Sequence, residues 1–162
     1  MNTVENHIKV HIETPNHFMV SGESLWAKQV KGDLYSIENI PFAAYGINHG
    51  DVVKVIQLRR DDKPEVINIV ERSGNRTIRI YFDKAEQSDI KKSLLSWLVQ
   101  TGASYENGNG SQYAISIPQT VCMKAIQRRL DVLTGCGLEY ETCEERVDGS
   151  FGDHPHDSPA KH

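Results

Sequence analysis

The chain has 162 residues, a net charge of −4 and a hydrophobic fraction of 38%, which fits one ordinary domain or two small ones. This acidic balance leaves no overall basic footprint for nucleic acid, so we expect no DNA partner. No apolar run is long enough to cross a bilayer, and the N-terminus lacks the layout of a signal peptide, so we expect a cytoplasmic protein that does not enter a membrane.

The first half of the chain has the pattern of short β-strands. Apolar and polar residues alternate, loosely in places, over five segments: 7–12, 23–30, 34–37, 52–56 and 65–70. Turn residues separate these segments at close spacing. Such a series predicts a small antiparallel barrel or sandwich. We expect the two tryptophans, Trp26 and Trp97, to pack in cores.

The segment before the fourth of these strands contains a turn signal. Gly50 can adopt a positive φ, and the Asp51 carboxylate can accept hydrogen bonds from neighbouring amides. A strand follows, so the glycines do not open into a helix as a phosphate-binding loop requires. The spacing resembles the "GD box" of cradle-loop barrels. We therefore interpret this segment as architectural.

The second half of the chain changes period twice. Residues 77–82 alternate as a strand, and a helical stripe then runs from Ile90 to Val99 before Gly102. Two strands follow at 103–105 and 112–117. A second helical stripe and a last strand at 138–143 complete the order. Strand, helix, strand, strand, helix, strand is the split βαβ arrangement of ferredoxin-like domains.

The predicted fold class is therefore α+β. We divide the chain into a barrel-like part (1–74), a ferredoxin-like part (75–147) and an acidic tail (148–162). The tail is rich in Gly, Pro and Ser, which favours flexibility. In the ferredoxin-like part, both helices are predicted on one face of the sheet. The other face would carry Thr77, Arg79 and Tyr81.

An ordered series of motifs resembles a known bacterial family. The series is ESLWA from residue 23, NIPF from 39, YG from 45, GDVV from 50 and ERSG from 71, followed by Thr77 and Arg79. The family is catalogued as domain of unknown function 4265, and the resemblance covers about residues 22–145. Its pattern has His-Ser where this chain has Asn75-Arg76. No established enzyme activity comes with the resemblance. Relatives near toxin–immunity systems imply an inhibitor role.

The C-terminal region is the most acidic part of the chain. From residue 135 onward it has seven acidic and two basic residues. Such a region is either a solvated edge and tail or an acidic face for a basic partner. For the second alternative we select Glu139, Glu141, Glu144, Glu145 and Asp148. With the resemblance, this favours a non-enzymatic immunity protein that binds a basic toxin domain, such as a nuclease.

Two alternatives stay open. A small anion or nucleotide, or the substrate of an uncharacterised enzyme, would bind at the junction of the two parts through Tyr45, Arg76 and Arg79. Such arginines also pair with carboxylates across strands. An RNA-binding sheet would need Tyr81 and Tyr113 for stacking. The sequence shows no catalytic set, and we expect no cofactor and no metal site.

Overall fold

A computed structural model of the chain describes residues 7–14, 20–83, 88–108 and 110–143. This part of the chain forms nine strands and two α-helices, with a 3-10 turn before the last strand. In chain order the elements are β1 (His7–Glu13), β2 (Gly22–Lys31), β3 (Leu34–Ile37), β4 (Val52–Ile56), β5 (Glu65–Glu71), β6 (Arg76–Phe82), α1 (Ser88–Thr101), β7 (Ser104–Asn107), β8 (Gln112–Ile117), α2 (Met123–Leu133) and β9 (Leu138–Thr142). The tail 148–162 lies outside the described residues.

The first five strands close into a barrel in the order β1-β2-β3-β4-β5. Neighbouring strands are antiparallel except β1 and β5, which close the barrel through one parallel pair, His11 and Glu65. The alternating apolar side chains point inward and form one core, for example Val10, Leu25 and Val53. Because side chains alternate along a strand, Trp26 lies opposite Leu25 and is 46% exposed. Its expected place in the core was therefore wrong.

The last four strands form an antiparallel sheet in the order β7-β8-β6-β9. Numbered within this part, the order is second, third, first, fourth, as in ferredoxin-like folds. Both helices pack on one face, where Ile78 and Ile80 of β6 meet Leu94 of α1 and Ile126 of α2. The predicted α+β fold, a barrel followed by a ferredoxin-like βαββαβ part, is confirmed.

The opposite face of this sheet is buried against the barrel side. Thr77 and Arg79 on β6 and Ser116 on β8 are each at most 3% exposed there. The loop at residues 39–48, between β3 and β4, supplies much of the cover. The sheet is therefore covered on both faces, and the junction with the barrel contains buried polar groups.

The turn at Gly50 and Asp51 is a second bridge between the two parts. Gly50 has φ 86°, and an added Cβ would lie 3.0 Å from the Ser73 Cβ, so both the backbone angle and the space favour glycine. The fully buried Asp51 carboxylate accepts hydrogen bonds from the amides of Asn48 and Ser73, each at 2.8 Å. Since Ser73 lies between β5 and β6, this carboxylate fixes the chain where it leaves the barrel.

We predict that Asp51→Ala lowers the free energy of unfolding by about 1–2 kcal/mol, because two backbone amides lose their buried acceptor. Urea denaturation with matched m-values measures this difference. Asp61→Ala, in an exposed turn, is the control, and we expect it to change stability by less than about 0.5 kcal/mol. Equal denaturation midpoints for the two variants would contradict the role of Asp51.

Candidate functional site

Arg79 is the largest fully buried polar side chain in the described part of the chain. Its Nε donates to the Glu141 Oε1 at 2.9 Å, across from it on β9. Its Nη1 donates to the carbonyls of Pro41 and Ala44 at 3.1 and 3.0 Å, and its Nη2 donates to the Ala43 carbonyl at 3.3 Å. Four of its five N–H groups therefore have acceptors inside the protein.

Two tyrosines complete this cluster, which we call the Arg79 cluster (Tyr45, Arg79, Tyr81 and Glu141). The Arg79 guanidinium lies over the Tyr45 ring, 4.5 Å from its centroid. The Tyr45 hydroxyl donates to the Glu141 Oε2 at 2.5 Å, and the Tyr81 hydroxyl donates to Oε1 at 3.2 Å. Three groups from two segments of the chain, the β3–β4 loop and β6, thus converge on one carboxylate.

The electrostatics of the Arg79 cluster hold each group in one protonation state near neutral pH. Burial and the neighbouring Glu141 carboxylate raise the pKa of Tyr45 and that of Tyr81 to about 12. Burial acts to raise the pKa of Glu141, but hydrogen bonds from Tyr45 and Arg79 outweigh it and lower that pKa below its ordinary value. The cluster therefore contains two neutral phenols, one carboxylate and one guanidinium. Fixed protonation states of this kind suit a structural connection.

Arg79 binds carbonyl groups of the loop at residues 39–48. Two carboxylates bind amide groups of the same loop. The Glu23 carboxylate on β2 accepts from three consecutive amides, those of Phe42, Ala43 and Ala44, at 2.6–3.0 Å. The Glu106 carboxylate on β7 accepts from the Ile40 amide at 2.6 Å. Barrel and sheet therefore grip one loop, and no buried side-chain polar atom in the described residues lacks a partner.

The three residues predicted as a ligand site do not form one site. Tyr45 and Arg79 belong to the buried cluster, where protein groups occupy them. Arg76 is exposed at the start of β6, and side-chain alternation places it on the sheet face opposite Arg79. The alternative expectation, that an arginine pairs with a carboxylate across strands, describes Arg79 and Glu141.

Arg76 instead lines a separate cleft of about 200 Å³ beside the turn between β5 and β6. The lining residues are Asn48, Asp51, Arg72, Gly74, Asn75, Arg76, Thr77 and Cys143. Several of these groups are already engaged, since the Arg72 Nη1 donates to the Gly46 carbonyl and the Thr77 hydroxyl donates to the Asn48 Oδ1. The lining includes two guanidinium groups, of which that of Arg72 lies 3.9 Å from the Asp51 Oδ2, and amide side chains. Guanidinium and amide N–H groups are donors that suit a small anion.

The structure separates the predicted acidic residues. Glu139 is exposed on β9, whereas Glu141 on the same strand points into the Arg79 cluster. Glu144, Glu145 and Asp148 lie outside the described residues. The Glu139 carboxylate is therefore exposed to solvent, whereas the Glu141 carboxylate is bonded to Arg79 inside the protein.

The two tyrosines needed for RNA stacking lie on opposite faces of the sheet. Tyr113 is buried in the helix-side core with an edge-on contact to Phe82, and Tyr81 is hydrogen-bonded to Glu141 on the barrel side. The buried Tyr113 ring offers no open stacking surface, so the two rings do not form one stacking platform.

The fold and the junction together define an α+β protein in which a five-stranded barrel is joined to a ferredoxin-like sheet by a clamped loop. The chain belongs to the family described as Domain of unknown function (DUF4265), whose model matches residues 23–140. No helix in the described residues is long and apolar enough to span a membrane.

The fold has a solved counterpart. The crystal structure of a hypothetical protein from Neisseria gonorrhoeae is similar to it, with a TM-score of 0.66 and 15% identity over 95% of this chain and 100% of that chain. No curated protein sequence matches the chain. At this identity the likeness concerns the fold alone.

We predict that Glu141→Gln destabilises the protein by about 2–3 kcal/mol at pH 7, since the buried guanidinium loses its counter-charge. Because folding lowers the pKa of Glu141, its contribution is present above the ordinary glutamate pKa and is lost as pH falls through the folded-state value. The difference between wild type and variant should therefore shrink below about pH 4. Urea denaturation at pH 7, 5 and 3.5 measures it.

The matched control for this prediction is Glu139→Gln, two residues away on the same strand and exposed. We expect it to change stability by less than about 0.5 kcal/mol at each pH. A Glu141→Gln variant as stable as this control would show that the cluster does not depend on the charge.

Proposed function

We propose that this chain is a cytoplasmic, non-enzymatic protein-binding protein that acts as an immunity protein, neutralising a bacterial toxin by direct binding. The partner we propose is a basic toxin domain, such as a nuclease. The acidic C-terminal region and the family context noted above support this proposal.

The observation that carries the proposal is the position of β9. It is an outer strand of the sheet and pairs with β6, and no other described strand pairs with its second edge. An outer strand presents backbone N–H and C=O groups that a partner strand can pair with. Glu139 is exposed on this strand, and the sequence continues directly into Glu144, Glu145 and Asp148.

Charge at such an edge acts chiefly on the encounter with a partner. A basic surface approaching this strand is attracted before contact, which speeds association. Salt screens this attraction over about 8 Å at physiological ionic strength. An inhibitor that must capture a toxin quickly gains from that acceleration.

We predict that neutralising the acidic edge slows association more than it speeds dissociation. The variant carries Glu139→Gln, Glu144→Gln, Glu145→Gln and Asp148→Asn, and keeps Glu141 because that residue holds Arg79. Surface plasmon resonance against the protein encoded by the neighbouring gene, at two salt concentrations, measures both rates. Wild type should associate more slowly as salt rises, and the variant should lose much of that dependence.

The matched control removes the same number of negative charges from exposed positions on the barrel: Asp33→Asn, Asp61→Asn, Asp62→Asn and Glu71→Gln. If both variants lose the salt dependence equally, net charge and not the β9 edge steers binding. Absence of binding by the folded proteins at micromolar concentration would refute the immunity proposal for that partner.

The cleft beside Arg76 favours a second candidate function, the binding of a small anion. Its volume of about 200 Å³ is below the range of roughly 300–1,000 Å³ that is usual for pockets holding larger ligands. This size favours a phosphate-sized or carboxylate-sized anion over a nucleotide. If no protein partner binds, calorimetric titration with inorganic phosphate, compared between wild type and Arg76→Ala, tests this second function.

A further inference from the structure

Three side chains with metal-ligand atoms meet on the outer surface of the barrel where it closes. His11 and Glu13 lie on β1 and, spaced by two residues, point to the same side, while Glu65 comes from β5. His11 and Glu65 are also the parallel pair that joins the first and last strands of the barrel. The group therefore spans the seam of the barrel.

The distances within this group suit a shared ion. The His11 Nδ1 lies 2.8 Å from the Glu65 Oε1 and 3.7 Å from the Glu13 Oε1, and the three ligand atoms all lie within 4.8 Å of one another. Nitrogen and oxygen ligands bind Zn²⁺ at about 2.0–2.2 Å, so two of them on one ion are roughly 3.0–3.5 Å apart. Small side-chain rotations bring the group into that range.

The strand sequence makes room for the imidazole at this position. A Cβ on Gly22 would lie 2.3 Å from the His11 Nε2 and 2.8 Å from its Cε1. Gly22 is also the cross-strand partner of Glu13. The imidazole ring therefore lies over Gly22 of β2, beside Glu13. Any side chain at position 22 would displace the ring.

A histidine–glutamate pair accounts for only part of the arrangement. The Nδ1 of His11 carries one proton at most, and the hydrogen bond to Glu65 uses it. The Glu13 carboxylate faces the same nitrogen and brings a second negative charge to it. Like charges at short range repel, and a cation between them removes that cost. The ammonium of Lys63, two residues before Glu65, donates its hydrogen bond at 2.9 Å to the Ser24 hydroxyl.

We propose that His11, Glu13 and Glu65 form a binding site for a divalent transition-metal ion, with Zn²⁺ as the reference ion. One imidazole nitrogen and two carboxylate oxygens are a ligand set for such ions, whereas Mg²⁺ and Ca²⁺ prefer oxygen alone. Since the Glu13 side chain is 65% exposed, water completes the coordination. The ion links β1 to β5 and stabilises the closed barrel, because it binds the folded chain and not the unfolded one.

The test uses the full chain with the tail histidines replaced, His154→Gln, His156→Gln and His162→Gln, so that they do not compete for the metal. Isothermal titration with Zn²⁺ and thermal unfolding with and without it are measured on this protein. We expect saturable binding of one ion and a higher melting temperature. Mg²⁺ and Ca²⁺ at the same concentration should raise it less.

The deciding variants are Glu13→Gln and Glu65→Gln, added singly to the same protein. Each removes one carboxylate without shortening the side chain, and each should weaken Zn²⁺ binding by about tenfold or more. The matched control is Glu38→Gln. Glu38 pairs with His7 at 4.0 Å, a neighbouring histidine–glutamate pair to which the described residues add no third ligand, so this variant should bind Zn²⁺ as tightly as the parent.

Two results would overturn the proposal. One is the absence of Zn²⁺ binding at millimolar concentration by the folded protein. The other is binding that both glutamine variants retain at full strength, since the ion would then lie elsewhere. Because neither substitution changes a buried residue, folding of the variants does not obscure the comparison.

Discussion

The buried guanidinium of Arg79 is the constraint on which the junction of this protein depends. An arginine does not lose its charge in a protein, so a fully buried one must find acceptors or destabilise the fold. Glu141 supplies the counter-charge, and three residues of the loop at 39–48, Pro41, Ala43 and Ala44, supply carbonyls. Tyr45 covers the guanidinium face. The loop takes its path because Arg79 requires those carbonyls.

This requirement connects the two parts of the chain. The same loop gives its amides to Glu23 of the barrel, so movement of the sheet relative to the barrel would break bonds on both sides. Asp51 adds a second bridge to the connection between β5 and β6. The sheet face that many ferredoxin-like proteins leave open is thereby covered. The binding that we propose therefore uses outer surfaces: the β9 edge, the cleft at Arg76 and the barrel seam.

Local patterns in the sequence predicted most of the fold, whereas the sites depend on contacts between distant segments. Period two and period 3.6 identified the strands and helices, because each is set by near neighbours. The partner of Arg79 follows from the register of β6 against β9, 62 residues apart, and strand patterns do not fix that register. The same holds for His11 and Glu65, 54 residues apart, which only barrel closure brings together. Trp26 was predicted in the core because of its residue type, although its position in the alternating strand pattern already placed it on the outside of the barrel.

Native-state hydrogen exchange on Arg79→Met tests most directly whether this one side chain makes barrel and sheet a single cooperative unit. The slowest amides of the barrel strands and those of β6 and β8 report the opening free energy of each part. We expect one shared value in the wild-type protein and two separate values in the variant, in which Arg79 no longer holds the loop carbonyls. Shared values in both proteins would contradict the account, because the two parts would then be coupled without Arg79.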